Sequence, residues 1–295
     1  MDLTPGRNMY NSFRLRPTPV PTLPKMAEPT SIKVTIRDIA KQIDHSLLHP
    51  TMTDKEIEDG LEIARKYNVA AACVKPYSIK RARRALEDTD VLTCAVIGFP
   101  HGNSTTSCKN EEARHAVLDG AHEVDMVVNV GKVLGGDWNY VHHEIETINR
   151  TVITTPVGMG GGTAILKVIF ENDYLQNHHI IKLCEICTRI GVAFVKTSTG
   201  YGFVKGEDGW YTYKGATPAH LKLMRQVCGP NIKIKAAGGV RTLDDVLYVM
   251  GLGTSRIGAT ATVAIIEEAL KRGINDVPME VAIEVPGGQQ IHASY

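Results

Sequence analysis

Short apolar runs recur along this chain, each followed by a segment of helical period, and that alternation restricts the fold more than any other feature. The strand-like runs span 43–48, 69–75, 92–98, 124–130, 165–171, 193–199, 232–237 and 255–259. Helical patterning follows over 54–67, 78–87, 109–119, 138–151, 177–190, 218–228, 242–250 and 263–272, with Thr53 placed to cap the first. Eight strand-then-helix units with mostly buried strands predict an α/β fold of the (β/α)8 TIM-barrel type; an open doubly wound sheet is the other architecture the pattern allows. Such barrels reach ~250 residues as one domain, so a single barrel is expected over 34–275.

Irregular tails flank it. Residues 1–33 are proline-rich, carry Arg7, Arg14, Arg16 and Lys25 against Asp2 and Glu28, and show no hydrophobic period, which predicts a disordered tail. A transit peptide is the weaker alternative, because the prolines oppose an amphipathic helix. Residues 276–295 read as an irregular C-terminal tail with Pro278, Pro286, Gly287 and Gly288. Two segments also break the rhythm inside the barrel. The glycine-rich 154–162 precedes the fifth strand and so belongs at the barrel's bottom, whereas 201–215 follows the sixth and reads as a hairpin over the active face.

With 33 basic and 32 acidic residues the formal net charge is +1, so no global field draws a nucleic acid or an anionic membrane. No apolar stretch approaches the ~18 residues of a membrane span. The six cysteines, mostly in apolar segments, fit reduced core thiols and a cytoplasmic setting. Cys184 and Cys187 have metal-ligand spacing but lie in a helical pattern without a second pair, and His101, His115 and His122 form no ligand motif. Neither a metal nor a cofactor is expected.

The chemistry-bearing residues are three lysines inside buried runs: Lys167, Lys196 and Lys235 on the fifth, sixth and seventh strands, beside Asp125 on the fourth. Lysines are rarely buried unpaired, and a buried or cation-crowded one loses its proton near neutral pH to become a nucleophile or base. Neighbouring strands are ~4.8 Å apart, so one of these amines is expected to be neutral. The plain alternative, pairing with carboxylates or snorkelling to solvent, suits one lysine better than three on successive strands. Lys233 shares parity with Lys235 but lies one pleat nearer the bottom, and no chemistry is assigned to it.

A second signature lies at the last strand ends: Thr197-Ser198-Thr199-Gly200, Gly238-Gly239-Val240-Arg241 and Gly258-Ala259-Thr260. Glycines allow close backbone approach, and barrels often bind phosphate after strands seven and eight. A phosphorylated small molecule fits.

These residues match a known family. The chain resembles deoxyribose-phosphate aldolase, a class I aldolase of barrel fold, over about residues 35–272. The motifs are Ile43-Asp44-His45-Ser46-Leu47-Leu48, Ala72-Cys73-Val74, Glu123-Val124-Asp125, Leu166-Lys167-Val168, the Val195–Gly200 run, the Lys235–Arg241 run and Arg256–Thr260. The resemblance implies reversible cleavage of 2-deoxy-D-ribose 5-phosphate to D-glyceraldehyde 3-phosphate and acetaldehyde, with Lys196 forming a Schiff base. It further implies that Asp125 and Lys235 transfer protons, that Lys167 lines the pocket and fixes Asp125, and that Asp44 and Cys73 line the pocket. The family's tail ends in a tyrosine thought to reach the active site, so Tyr295 becomes a candidate for shuttling the C2 proton.

Two departures bear on the phosphate end. Tyr201 stands where relatives often have lysine, leaving Lys205 as a substitute contact, and Ala261 stands where many have a second serine. Another phosphosugar-processing barrel, an isomerase or synthase, and a non-catalytic phosphosugar-binding barrel are the competing readings. A homo-oligomer is compatible with all of them.

Overall fold

The computed structural model describes residues 26–206 and 208–285. Eight parallel strands close into a barrel: β1 (Ile43–Leu47), β2 (Ala71–Val74), β3 (Leu92–Ile97), β4 (Glu123–Val127), β5 (Ile165–Ile169), β6 (Phe194–Lys196), β7 (Lys233–Ala237) and β8 (Arg256–Ala259). Pairing of β8 with β1, Gly258 opposite Asp44, completes the ring and rules out the open sheet. The strand composition suits closure. With helices outside and side chains filling the inside, the strands have no solvent face, and β4 is buried at every position.

The helices between strands fall where the period places them, and Asn177–Ile190 matches its expected bounds. Helix Asp54–Lys66 buries Ile57, Gly60, Leu61 and Ala64, a single stripe at the i, i+3, i+4, i+7 spacing. Its start is fixed by Thr53, whose side chain accepts from the Glu56 N–H while Glu56 reaches back to the Thr53 N–H; Thr242 and Asp245 repeat the device before Leu243–Gly251. Cys184 and Cys187 are both fully buried on their helix, as a core face requires.

The tail boundaries need correction. The segment expected to be disordered through residue 33 gives way at Ser31 to a strand, Ser31–Val34, paired antiparallel with Met279–Ala282 from the segment expected to be irregular. Each piece is too short to show a period alone, and each gains its hydrogen bonds only from the other. Residues 1–25 lie outside the described residues, as does Tyr295. The glycine-rich loop sits at the bottom as expected, with Gly158 donating to the Val117 carbonyl just before β4. The 201–215 excursion is a hairpin, with Val204–Lys205 pairing antiparallel to Tyr211–Thr212.

Candidate active site

The carboxyl ends of the strands surround a cavity of about 390 Å3. Asp44, Cys73, Lys196, Thr199, Gly200, Lys235, Gly238, Gly239, Arg241, Gly258 and Thr260 all line it. Asp125 and Lys167 do not: they lie directly beneath its floor, fully buried. Lys167 is therefore no pocket-lining residue, since its place on β5 is one pleat lower, opposite Phe194 rather than Lys196.

The lysines meet as the strand register dictates. Lys196 and Lys235 are paired positions on β6 and β7, and Asp125 and Lys167 on β4 and β5. Asp125 Oδ2 accepts from Lys196 Nζ at 2.8 Å and from Lys235 Nζ at 2.9 Å, while its Oδ1 lies 3.0 Å from Lys167 Nζ. Lys235 also donates to Asp44 Oδ2, and Lys167 reaches the same oxygen at 3.1 Å and Glu123 Oε2 at 2.6 Å. At the strands' amino ends Arg256 Nη1 donates to Asp44 Oδ1 at 3.1 Å and to Glu123 Oε1 at 3.0 Å.

Burial opposes the charges on Asp44, Asp125, Lys167 and Lys235, yet their mutual pairing outweighs it. Asp125 is held well below the usual carboxylate range by Lys167, Lys196 and Lys235 despite its burial, and Asp44 is held low by Lys167, Lys235 and Arg256. Burial likewise works against charged Lys167 and Lys235, but Asp125 and Asp44 keep both above the ordinary lysine value. Three carboxylates thus serve four basic groups. Lys167 touches three carboxylates, Lys235 and Arg256 two each, and Lys196 one, among the described residues.

The other half of the cavity is backbone-rich. Gly215 and Gly238 adopt positive φ (66° and 85°), and a Cβ on Gly215 would stand 2.5 Å from the Gly238 carbonyl oxygen, so two chain segments meet there at backbone contact. Tyr201 and Tyr213 add aromatic walls, Tyr201 packing edge-on against Phe99 at 5.5 Å. Lys205, the expected substitute for the missing lysine, sits exposed on the hairpin and does not line the cavity.

Sequence reasoning missed Glu171. It has a left-handed backbone (φ 60°) and is 2% exposed, and its carboxylate accepts from the Thr199 N–H at 3.1 Å and from the Thr199 hydroxyl. Burial pushes its pKa up to about 7, against the Thr199 hydrogen bonds. Two residues on, Asp173 accepts from the Lys214 and Gly215 N–H groups at 2.7 and 2.9 Å, and the Tyr174 hydroxyl donates to the Phe203 carbonyl at 3.1 Å. One short segment after β5 therefore holds both stems of the hairpin. The signal available was an acidic pair in Phe170-Glu171-Asn172-Asp173 at a strand end.

A parallel barrel with amines gathered at its carboxyl-end mouth is the frame of an enzyme that works on carbonyl groups through lysine. The pattern of the DeoC/LacD family aldolases matches residues 39–259, and the chain belongs to that family. It is accordingly an aldolase, a lyase. A deoxyribose-phosphate aldolase from Rhodopirellula baltica is 47% identical over 235 residues, 80% of this chain and 90% of that one. Another from Caldanaerobacter subterraneus is 41% identical over 81% of this chain and 97% of its own. Among solved structures, the tetrameric deoxyribose phosphate aldolase from Aeropyrum pernix superposes with a TM-score of 0.69 at 27% identity, covering 80% of this chain and 92% of that one.

Proposed function

We propose that this chain cleaves 2-deoxy-D-ribose 5-phosphate reversibly to D-glyceraldehyde 3-phosphate and acetaldehyde through a Schiff base on Lys196. The observation that carries the reading is the charge surplus. With four basic groups on three carboxylates, the site balances when one amine is neutral, and Lys196 has the fewest carboxylate partners and faces the cavity.

Neutral Lys196 adds to the C1 aldehyde, and loss of water leaves an iminium beside Asp125 Oδ2. Asp125, kept ionised by its cations, steadies that positive charge where it forms. Removal of the C3 hydroxyl proton through a water lets the C2–C3 electrons move into the iminium, releasing the phosphorylated aldehyde and leaving an enamine. Protonation at C2 and hydrolysis free acetaldehyde. Lys235, held cationic between Asp44 and Asp125, keeps Lys196 from sharing their charge and passes protons with Asp125. Lys167 acts from below, fixing Asp125 through its Oδ1. Thr199, Gly200, Gly238, Gly239, Arg241, Gly258 and Thr260 would hold the phosphate, with Asp44 and Cys73 on the facing wall.

Borohydride reduction in the presence of substrate tests this. Mass spectrometry should locate a reduced adduct on Lys196, and active enzyme without an adduct there would sink the proposal. Tyr295 is proposed to shuttle the C2 proton; its deletion should slow C2 proton exchange, and unchanged exchange would remove it. The tetrameric relative supports self-association here, which sedimentation would test. No described helix is long and apolar enough to cross a membrane, and a cytoplasmic location suits six cysteines that are all free.

A further inference from the structure

We propose that Cys73 and Cys94 form a peroxide-responsive dithiol in the barrel wall, closing reversibly to a disulfide that turns the aldolase down. The two residues are directly paired on β2 and β3. Neighbouring strands run ~4.8 Å apart, within the ~4.4–6.8 Å Cα separation that a disulfide spans. Both side chains point into the barrel, where they pack with Leu48, Ala71 and Val96. Their sulfurs and a carboxylate oxygen of Asp125 all lie within 4.8 Å of one another.

The two thiols are not equivalent. Cys73 lines the cavity, so a molecule as small as hydrogen peroxide reaches it from the barrel mouth. Cys94 lies behind it, its S–H donating to Asp125 Oδ1 at 3.2 Å and its sulfur accepting from Lys167 Nζ at 3.3 Å. The adjacent Cys94 thiol holds the Cys73 thiol below its ordinary value; burial and Asp125 oppose this, while Lys235 and Lys196 add to it. Burial and the adjacent Cys73 push Cys94 up. Oxidation follows thiolate character and access, and a reactive thiol poised beside a resolving one is how such sensors are built. The other buried cysteine group, Cys184, Cys187 and Cys228, has no member on the cavity wall.

The chemistry balances with peroxide as the oxidant. The Cys73 thiolate attacks one peroxide oxygen; an S–O bond forms, the O–O bond breaks, and hydroxide leaves to become water with a proton from solvent. Cys94 sulfur then attacks Cys73 sulfur. The S–S bond forms, the S–O bond breaks, and the Cys94 proton departs with the oxygen as a second water. Two thiols lose two electrons in total, and one peroxide gains them. A thiol reductant reverses the step by exchange. In a reducing compartment such a bond is transient and regulatory rather than structural.

The disulfide removes the S–H that Asp125 Oδ1 accepts and draws the cavity wall toward β3. Its effect on turnover rests on the function proposed above; its formation does not.

The test treats the full-length protein with graded hydrogen peroxide, blocks remaining thiols, and measures deoxyribose 5-phosphate cleavage and non-reduced peptides on the same samples. A Cys73–Cys94 cross-linked peptide should rise as activity falls, and dithiothreitol should reverse both. Cys94→Ser should give no cross-link and should instead accumulate a dimedone-reactive sulfenic acid at Cys73. The unsubstituted protein supplies the main readout, so a poorly folding variant does not spoil it. If Cys73 and Cys94 remain alkylatable while exposed Cys108 oxidises, the dithiol is overturned. If the cross-link forms with cleavage unchanged, the regulatory role is overturned. A cross-link in protein that never cleaves the sugar would sink the substrate reading and leave the dithiol standing.

Discussion

Two clusters of buried lysine and carboxylate stand among the described residues, and they differ in what the charge can do. Between helices Thr106–Leu118 and Trp138–Thr154, Lys109 Nζ bonds Glu144 Oε1 at 2.9 Å and the Val127 carbonyl at 2.9 Å. Glu144 takes a further N–H from Asn129 at 3.1 Å, and both side chains are sealed from solvent. One cation meets one anion there, and each Glu144 oxygen accepts a hydrogen bond. Inside the barrel, four basic groups share three carboxylates, and two of the four, Lys196 and Lys235, open on a cavity, Lys196 with a single carboxylate partner among the described residues. Burial of a lysine is thus no mark of chemistry by itself. A surplus of positive charge with access to solvent is.

Substitutions at the two lysines should separate these roles. Lys196→Met should abolish cleavage, by at least about a thousandfold, as loss of a nucleophile does. It should leave thermal stability level or raised, because it replaces a buried amine with one carboxylate partner by an apolar side chain of similar length. Lys109→Met should do the reverse, costing about 3–5 kcal/mol by stranding Glu144 in the protein, with kcat per folded molecule retained. Denaturant unfolding and steady-state rates on both variants decide the matter, and a stability loss at Lys196 as large as that at Lys109 would erase the contrast.

Smaller effects come from the segment that clamps the hairpin. Asp173→Asn keeps one acceptor for two N–H donors, so KM should rise about fivefold, the ~1 kcal/mol of a net hydrogen bond, with kcat little changed. An equal fall in kcat would instead tie Asp173 to the reacting groups. Glu171 gives the subtlest signal. Folding raises its pKa from 4.5 to about 7, so between those values the folded state holds a proton that the unfolded chain has released. Stability should therefore fall as pH rises through that window, by up to about 1.4 kcal/mol per pH unit from this one group. Asp173 adds to the shift and Lys196 opposes it. Glu171→Gln should flatten that slope in urea titrations at successive pH values, and identical slopes in both proteins would dismiss it.

Much of the fold was legible because each barrel strand carries its own apolar run and each helix its own stripe. Lys196, Lys235 and Asp125 could be brought together from strand order alone, since register on neighbouring strands is short-range geometry. Lys167 was placed one level too high, because parity tells inside from outside but not depth, and depth is set by the stagger of strands around a closed ring. Glu171 escaped for a different reason: its meaning lies in Thr199, in the loop beyond the next strand, and in a left-handed backbone no residue type demanded. Lys109 gave no warning either. Its partner stands 35 residues away on another helix, and only tertiary packing reveals the match.

The Ser31–Val34 strand has an outcome for how the chain acquires its shape. Its partner lies 249 residues further on, across the whole ring, as the Ser31 to Glu280 hydrogen bond measures. Loop-closure entropy for such a pairing is repaid only after everything between has condensed. That two-stranded clasp must therefore set late, and a chain emerging from the ribosome will carry its opening strand single and exposed until nearly the entire barrel has been made.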